Sequence, residues 1–335
     1  MEANLPPDLQ AGLDRLTQGI SRNALARGAA SISQAYRSGQ GSARTIRNAD
    51  DALAYALARM PATFAAAAAV LAAVKEAAPH FAPRTLLDAG AGPGTASWAA
   101  LGCFPGLTAL QLVDNNVDLR RLALQLLSGG AAALRSAAYG QGDARQLISA
   151  LAPADLTVAS YFVGEVPDAQ LLDYADALWA KTAGILVIIE PGTPAGFARI
   201  RSVRSHLTGR QGHVVCPCPH DRECPLAGND WCHFSQRLNR SRDHRKVKGA
   251  ALSFEDEKFS YVALSKHNID AEARDRVLAP PRVTKALVTT KLCTPTGLVM
   301  DVASRRDQAA YKVRKSWRWG DAVSRSAASV GEGNE

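Results

Sequence analysis

The stretch CPCPHDRECPLAGNDWCHF, residues 216–234, holds four of the chain's six cysteines and two of its seven histidines within nineteen positions. Thiolates ligate zinc and iron–sulfur clusters and imidazoles ligate zinc, so soft donors this crowded point to metal ligation more than to packing. The spacing is Cys218-x5-Cys224-x7-Cys232, with Cys216 two positions upstream. That departs from the paired Cys-x2-Cys knuckles of zinc sites. Pro217, Pro219 and Pro225 interrupt regular structure and let the thiols turn towards one centre. A fourth ligand could be His220, His233, Cys216 or the distant Cys293.

A second constellation lies upstream. In LLDAGAGPGTAS, Asp88, Gly90, Ala91, Gly92 and Gly94 follow an apolar run and precede a helical one. Alternate glycines let the backbone turn tightly and approach a ligand with no side chain between. A dinucleotide fingerprint needs glycine where Thr95 stands, so the loop reads instead as the acidic-x-GxGxG loop of class I S-adenosylmethionine (SAM) methyltransferases. Asp114, at the end of the next apolar run, is placed to accept ribose hydroxyls. Asp143, in GQGDAR, is placed to meet the adenine amino group.

Methyl transfer is harder to read. After the fourth strand the chain has Ser160-Tyr161-Phe162-Val163, without the prolines of an exocyclic-amine methyltransferase motif, and neither SYFVGE nor IEPGTP offers a cysteine nucleophile. Glu165 and Glu190 follow strands, where they could orient a substrate or simply cap structure. The catalytic residues are left unassigned.

The elements that must position these groups are legible as texture. TLLDAG (85–90), ALQLVD (109–114), LTVASYF (156–162) and GILVIIE (184–190) read as buried strands, with helices over 119–127 and 169–180 between them. Such alternation predicts a doubly wound parallel sheet. Residues 1–80 read as helical, with breaks at 38–42 and at Met60-Pro61. Residues 192–253 lose strand character. KFSYVAL (258–264), ALVTTKLC (286–293) and TGLVMDVAS (296–304) then close the sheet, the last two as a hairpin around Pro295–Gly297.

With 47% hydrophobic and 21% charged residues, the 335-residue chain has the composition of a globular protein. No cationic segment leads into an apolar one at the N-terminus, and Lys75 and Glu76 end the most apolar run, 62–74, short of a bilayer span. The expectation is a soluble, intracellular protein without a membrane partner. The net charge of +8 favours a polyanionic partner. Eleven Arg or Lys against four acids lie between 199 and 248, and RRDQAAYKVRKSWRWGD interleaves cations with Tyr311, Trp317 and Trp319, a combination suited to RNA phosphates and unpaired bases.

SRNALARGAASISQAYRSG, RMPATFAA, LLDAGAGPGTASWAA, CPHDRECPL, WCHFSQR, FEDEKFSYVAL and SWRWGD, in that order, resemble the methyltransferase-like assembly factors of the small ribosomal subunit. These are the bacterial relatives of the yeast mitochondrial small-subunit Rsm protein and of human methyltransferase-like protein 17. The resemblance spans nearly the whole chain. It implies a class I SAM methyltransferase (Rossmann-like) fold, binding to the small subunit and its rRNA, and a [4Fe-4S] cluster on Cys218, Cys224, Cys232 and Cys293, with zinc as the alternative. Cys216 is then an extra thiol.

The resulting expectation is an α/β chain with a helical region at 1–80, a SAM-binding core at 81–192, a Cys/Arg-rich metal-binding insertion at 193–253, closing strands with a basic segment at 254–320, and a disordered tail at 321–335. Its role would be a ribosome-associated, cytoplasmic assembly or translation factor, monomeric when free. The alternatives are an active SAM-dependent rRNA methyltransferase and a zinc-stapled SAM protein unrelated to ribosomes.

Overall fold

The computed structural model describes residues 4–37, 45–240, 245, 251–269 and 274–325. The expected break at 38–42, Arg242, Lys246 and Lys248, and the part of the expected tail beyond 325 lie outside these residues. Helices α1 (Pro7–Leu16), α2 (Arg22–Arg37) and α3 (Ala49–Ala77) precede the sheet. Asn48 caps α3 by accepting a hydrogen bond from the Asp51 amide. The helix runs through Pro61, where the sequence predicts a break. A helix-interior proline costs about 3 kcal/mol. Met60, Phe64, Val70, Leu71 and Val74 are all buried along α3, and packing on that scale outweighs the lost backbone bond. By length and composition α3 could cross a membrane, but 67% of its most apolar window is buried inside this structure, as in a core helix.

The Rossmann-like half begins with β1 (Thr85–Ala89), α4 (Thr95–Cys103), β2 (Ala109–Asp114) and α5 (Val117–Leu127). It continues through α6 (Ala132–Arg135), β3 (Ala138–Gln141), α7 (Ala144–Ala150) and β4 (Ala154–Ser160) to α8 (Leu171–Ala180) and β5 (Thr182–Pro191). Next come α9 (Pro194–Thr208), β6 (His213–Cys216), β7 (Phe234–Asn239) and β8 (Phe254–Ser265). The strands form an eight-stranded sheet in the order β3-β2-β1-β4-β5-β8-β6, with β7 also on β8. β1 to β5 are parallel and β8 is antiparallel to β5. This is a class I methyltransferase-like α/β fold. Helices α3, α4 and α5 cover one face and α7, α8 and α9 the other.

Two expectations need correction. Residues 192–253 do not lose strand character throughout, because β6 and β7 fall within them. Nor do the last strands close the main sheet. Only β8 does so; β9 (Asp275–Val277), β10 (Arg282–Val283), β11 (Leu287–Thr294), β12 (Gly297–Ser304) and β13 (Ala322–Val323) make a separate five-stranded sheet. The hairpin of β11 and β12 is as expected, and α10 (Gln308–Ser316) packs on it. β6 and β7 pair with different stretches of one edge of β8, so the cysteine loop bridges two segments of that edge.

Candidate functional site

The glycine loop sits at the carboxyl end of β1, where strand order reverses between β1 and β4, the usual ligand crevice of such sheets. Gly90, Gly92 and Gly94 all have positive φ, at 67°, 52° and 82°. At Gly90 the reason is also spatial: a Cβ there would lie 2.3 Å from the ring of Phe162, which follows β4. The amides of Gly90 and Ala91 both donate to the Val113 carbonyl, at 2.9 and 3.0 Å.

Two neighbouring strands fix the loop's shape. Asp114, buried at the end of β2, accepts from the Gly92 amide at 2.9 Å through Oδ2 and from the Asn116 amide at 2.8 Å through Oδ1. The Tyr139 hydroxyl of β3 donates to the Gly92 carbonyl at 2.7 Å. Asp88 is buried below and accepts from the Ser97 hydroxyl at 2.7 Å, while its Oδ1 has no partner among the described residues. Burial pushes its carboxyl up to about 6 against the pull of Ser97. Burial likewise raises Asp114, opposed by the amides of Asn116 and Gly92. Asp143 stands apart: it is exposed and caps α7 by accepting from the Gln146 amide. Tyr139, Ser97 and Asn116 escape sequence reasoning, since an isolated tyrosine or serine carries no spacing signal.

Across the crevice, Tyr161 adopts φ 56° and donates to Glu257 Oε1 at 2.9 Å, which also receives Arg59 Nη2 at 3.0 Å. A non-glycine residue in this region is strained, and the Arg59–Glu257–Tyr161 network holds it there. Glu190, at the end of β5, is wholly buried; the Gly164 amide donates to its Oε1 at 3.1 Å, and its Oε2 has no hydrogen-bond partner among the described residues. Burial lifts its carboxyl to about 7, opposed by Gly164 and Arg199. Glu165 is exposed.

The cysteine loop and the second sheet meet at one apolar cavity. Cys218, Cys224, Cys232 and Cys293 all line it, together with Leu226, Leu278, Arg204 and Arg276. Its volume is about 30 Å³. Among the described residues, no three His, Cys, Asp or Glu side chains are drawn to the spacing of a metal-ion site. Burial and the neighbouring thiols push Cys293 up to about 12 and Cys232 well above the ordinary thiol value; Cys218 is raised by burial, with Arg204 opposing. Such thiols stay protonated unless a cation lets them ionise together. Cys216 is fully buried in β6 and does not line the cavity. His220 Nε2 lies 3.8 Å from Cys293 Sγ, whereas His233 stacks on Trp231 with centroids 5.0 Å apart.

The basic clusters are less open than the sequence suggests. Arg237 and Arg240 pair with Asp256 and Glu255, Arg210 with Asp176, and Arg201 with Glu223. Trp317 is buried under Arg314, the Tyr311 hydroxyl donates to the Thr284 carbonyl, and Trp319 packs edge-on against His233. These aromatics are therefore structural in this chain and are not free stacking platforms. Lys312, Lys315, Arg318, Arg305 and Arg306 remain exposed around α10.

A family model described as the mitochondrial small ribosomal subunit Rsm22 matches residues 49–324. The human mitochondrial ribosome assembly protein METTL17 is 30% identical over 285 residues, 80% of this chain and 61% of that protein. The mitochondrial Rsm22-cox11 tandem proteins 1 and 2 of Schizosaccharomyces pombe are each 26% identical over 217 residues, 54% of this chain and 27% of theirs. The chain thus spans less than two thirds of each of these relatives. Among solved structures, magnesium protoporphyrin IX methyltransferase from Synechocystis PCC 6803 superposes with a TM-score of 0.40 at 10% identity, over 78% of this chain and 98% of that one. Precorrin-6y C5,15-methyltransferase from Geobacter metallireducens superposes with a TM-score of 0.40 at 13% identity, over 59% and 86%.

Proposed function

The chain belongs to the Rsm22 family of mitochondrial small-ribosomal-subunit proteins, and from that premise we propose that it is a SAM-binding, methyltransferase-like factor that binds the small ribosomal subunit and its rRNA and supports assembly or translation. The observation that carries the SAM half is the loop Gly90–Gly94 at the switch point of the sheet, with three glycines at positive φ and Gly92 held by Asp114 and Tyr139. Each Asp114 oxygen uses one lone pair on a backbone amide and keeps acceptor capacity for a ribose hydroxyl. Asp88, whose Oδ1 has no partner among the described residues, would accept from the amino-acid end. Asp143, as an exposed helix cap, is the weakest member of the proposed set. The ribosomal half rests on the relatives, whose names place them in mitochondrial ribosomes or their assembly. The proposed setting here is the bacterial cytoplasm, on the ribosome, with the exposed cations around α10 facing rRNA phosphates.

The thiol cavity fits a metal group by its donor set: four cysteines, no carboxylate and an apolar lining. Cys218, Cys224, Cys232 and Cys293 would hold a [4Fe-4S] cluster, or zinc in its place. Either would staple the cysteine loop to the second sheet, and a cluster would add a one-electron redox couple.

The second reading, an active rRNA methyltransferase, has Glu190 in its favour. A buried carboxyl near neutrality at a strand's carboxyl end, with one oxygen free of hydrogen bonds, suits a proton acceptor. Against it stands the Arg59–Glu257–Tyr161 network at the same rim. The test is SAM binding by calorimetry, with transfer of labelled methyl to small-subunit rRNA assayed alongside. SAM binding lost on Gly92→Arg, without methyl transfer by wild type, is the expected result; a wild-type protein that does not bind SAM overturns the proposal.

A further inference from the structure

Three arginines line the thiol cavity; Arg201 pairs with Glu223, whereas Arg204 and Arg276 have no carboxylate within ion-pair distance among the described residues. Arg204, on α9, is 3% exposed. Its Nη2 donates to the carbonyls of His220 and Arg222, both at 2.7 Å, while its Nε and Nη1 are buried without a hydrogen-bond partner among the described residues. Arg276, on β9, is 8% exposed and donates to the Pro217 carbonyl at 3.0 Å and the Gly320 carbonyl at 2.7 Å. The nearby Glu76 is already paired with Arg274. A guanidinium kept from water and from any anion costs several kcal/mol. Two of them beside four thiols call for a negative charge at the centre of the cavity.

Four thiolates around either a [4Fe-4S] core in its oxidised 2+ state or a zinc ion leave two negative charges. We propose that Arg204 and Arg276 are the built-in counterions of a dianionic tetrathiolate centre on Cys218, Cys224, Cys232 and Cys293, with the free Nε and Nη1 of Arg204 donating hydrogen bonds to its sulfurs. The inference rests on the metal reading above and assigns residues outside the ligand set. Both arginines also tie the ligand loop in place through its carbonyls, at His220, Arg222 and Pro217. In a cluster, positive charge and N–H···S bonds at the sulfurs favour the reduced state and raise the reduction potential.

The experiment uses full-length protein purified anaerobically as wild type, Arg204→Lys, Arg204→Gln and Arg276→Gln, with iron, sulfide and zinc measured in each. For iron-loaded protein, potentiometric titration followed by EPR is expected to show Arg204→Gln and Arg276→Gln reduced about tenfold less at the wild-type midpoint, a shift of about 59 mV for one electron. Arg204→Lys, which keeps the charge, should lie between. For zinc-loaded protein, release to a chelator is expected to be about tenfold faster in the two Gln variants. Unchanged potentials or release rates overturn the counterion proposal and leave the metal reading standing, whereas wild type without iron or zinc sinks the metal reading itself. Should the variants fail to fold, wild type decides: reduced cluster must show a strongly coupled exchangeable proton by ENDOR, or cadmium-substituted protein a cadmium–proton coupling, and absence of the signal overturns the proposal.

Discussion

The Tyr139 hydroxyl donates to the carbonyl of Gly92 at 2.7 Å, tying the third strand of the sheet to the tip of the glycine loop. With Asp114 holding the Gly92 amide from the second strand, both polar groups of one backbone residue are fixed from outside the loop. A cofactor entering this loop meets a shape already set, so little ordering has to be supplied by binding.

Removal of that hydroxyl is the first check. Tyr139→Phe leaves the buried Gly92 carbonyl without its donor and should destabilise the protein by about 1 kcal/mol. SAM affinity should fall several-fold in calorimetry. An unchanged affinity would mean that the loop holds its shape without β3.

Gly90→Ala probes the crowding at the switch point. The new methyl would press on the Phe162 ring at a φ of 67°, so backbone and ring must both give. A loss of about 1–3 kcal/mol is expected in denaturant unfolding. Gly90→Ala with Phe162→Ala should recover part of the SAM affinity, because the clash has then lost one partner.

Glu190 gives a pH prediction with a definite sign. Burial raises its carboxyl from the ordinary value near 4 to about 7, so between those values the folded state binds a proton that the unfolded chain has released. Its contribution to stability is therefore full below about pH 4, declines as pH rises towards 7, and stays lost above that. Glu190→Gln keeps an acceptor for the Gly164 amide and cannot ionise. Thermal unfolding should find the variant gaining on wild type between pH 5 and pH 8, by about 2 kcal/mol. A constant difference across that range would show that Glu190 is charged throughout.

The central parallel strands were legible because they are buried on both faces and read as continuous apolar runs, as in LQLV and ILVII. The second sheet was not. Leu298, Met300 and Val302 point outwards from β12, so their hydrophobicity mimicked a core strand of the main sheet. Pro61 misled because tertiary burial of α3 overrides local chemistry. In the thiol site, Cys218, Cys224 and Cys232 are close in sequence, but Cys293 lies on another sheet, and the residues alone leave it one of four candidates for the fourth ligand, which only the family resemblance singles out. Arg204 and Arg276 were invisible as partners of that site, since a charged residue in a basic segment reads as surface until its burial is seen.

Cys293→Ser tests the stapling role of the cavity. Loss of most iron or zinc is expected, together with faster amide exchange in β9 and β11 while β1 and β4 remain protected. Full metal retention would remove Cys293 from the ligand set. Cys216→Ser, outside the cavity, should keep its metal.

Ribosome association is the most direct test of function. Tagged protein from gently lysed cells of its source is resolved on a sucrose gradient and probed across the fractions, with crosslinking to small-subunit rRNA in the same lysate. Co-migration with free or immature small subunits, with crosslinks to their rRNA, is the expected result. Protein confined to the ribosome-free fractions, with no rRNA crosslinked, would contradict a role on the small subunit.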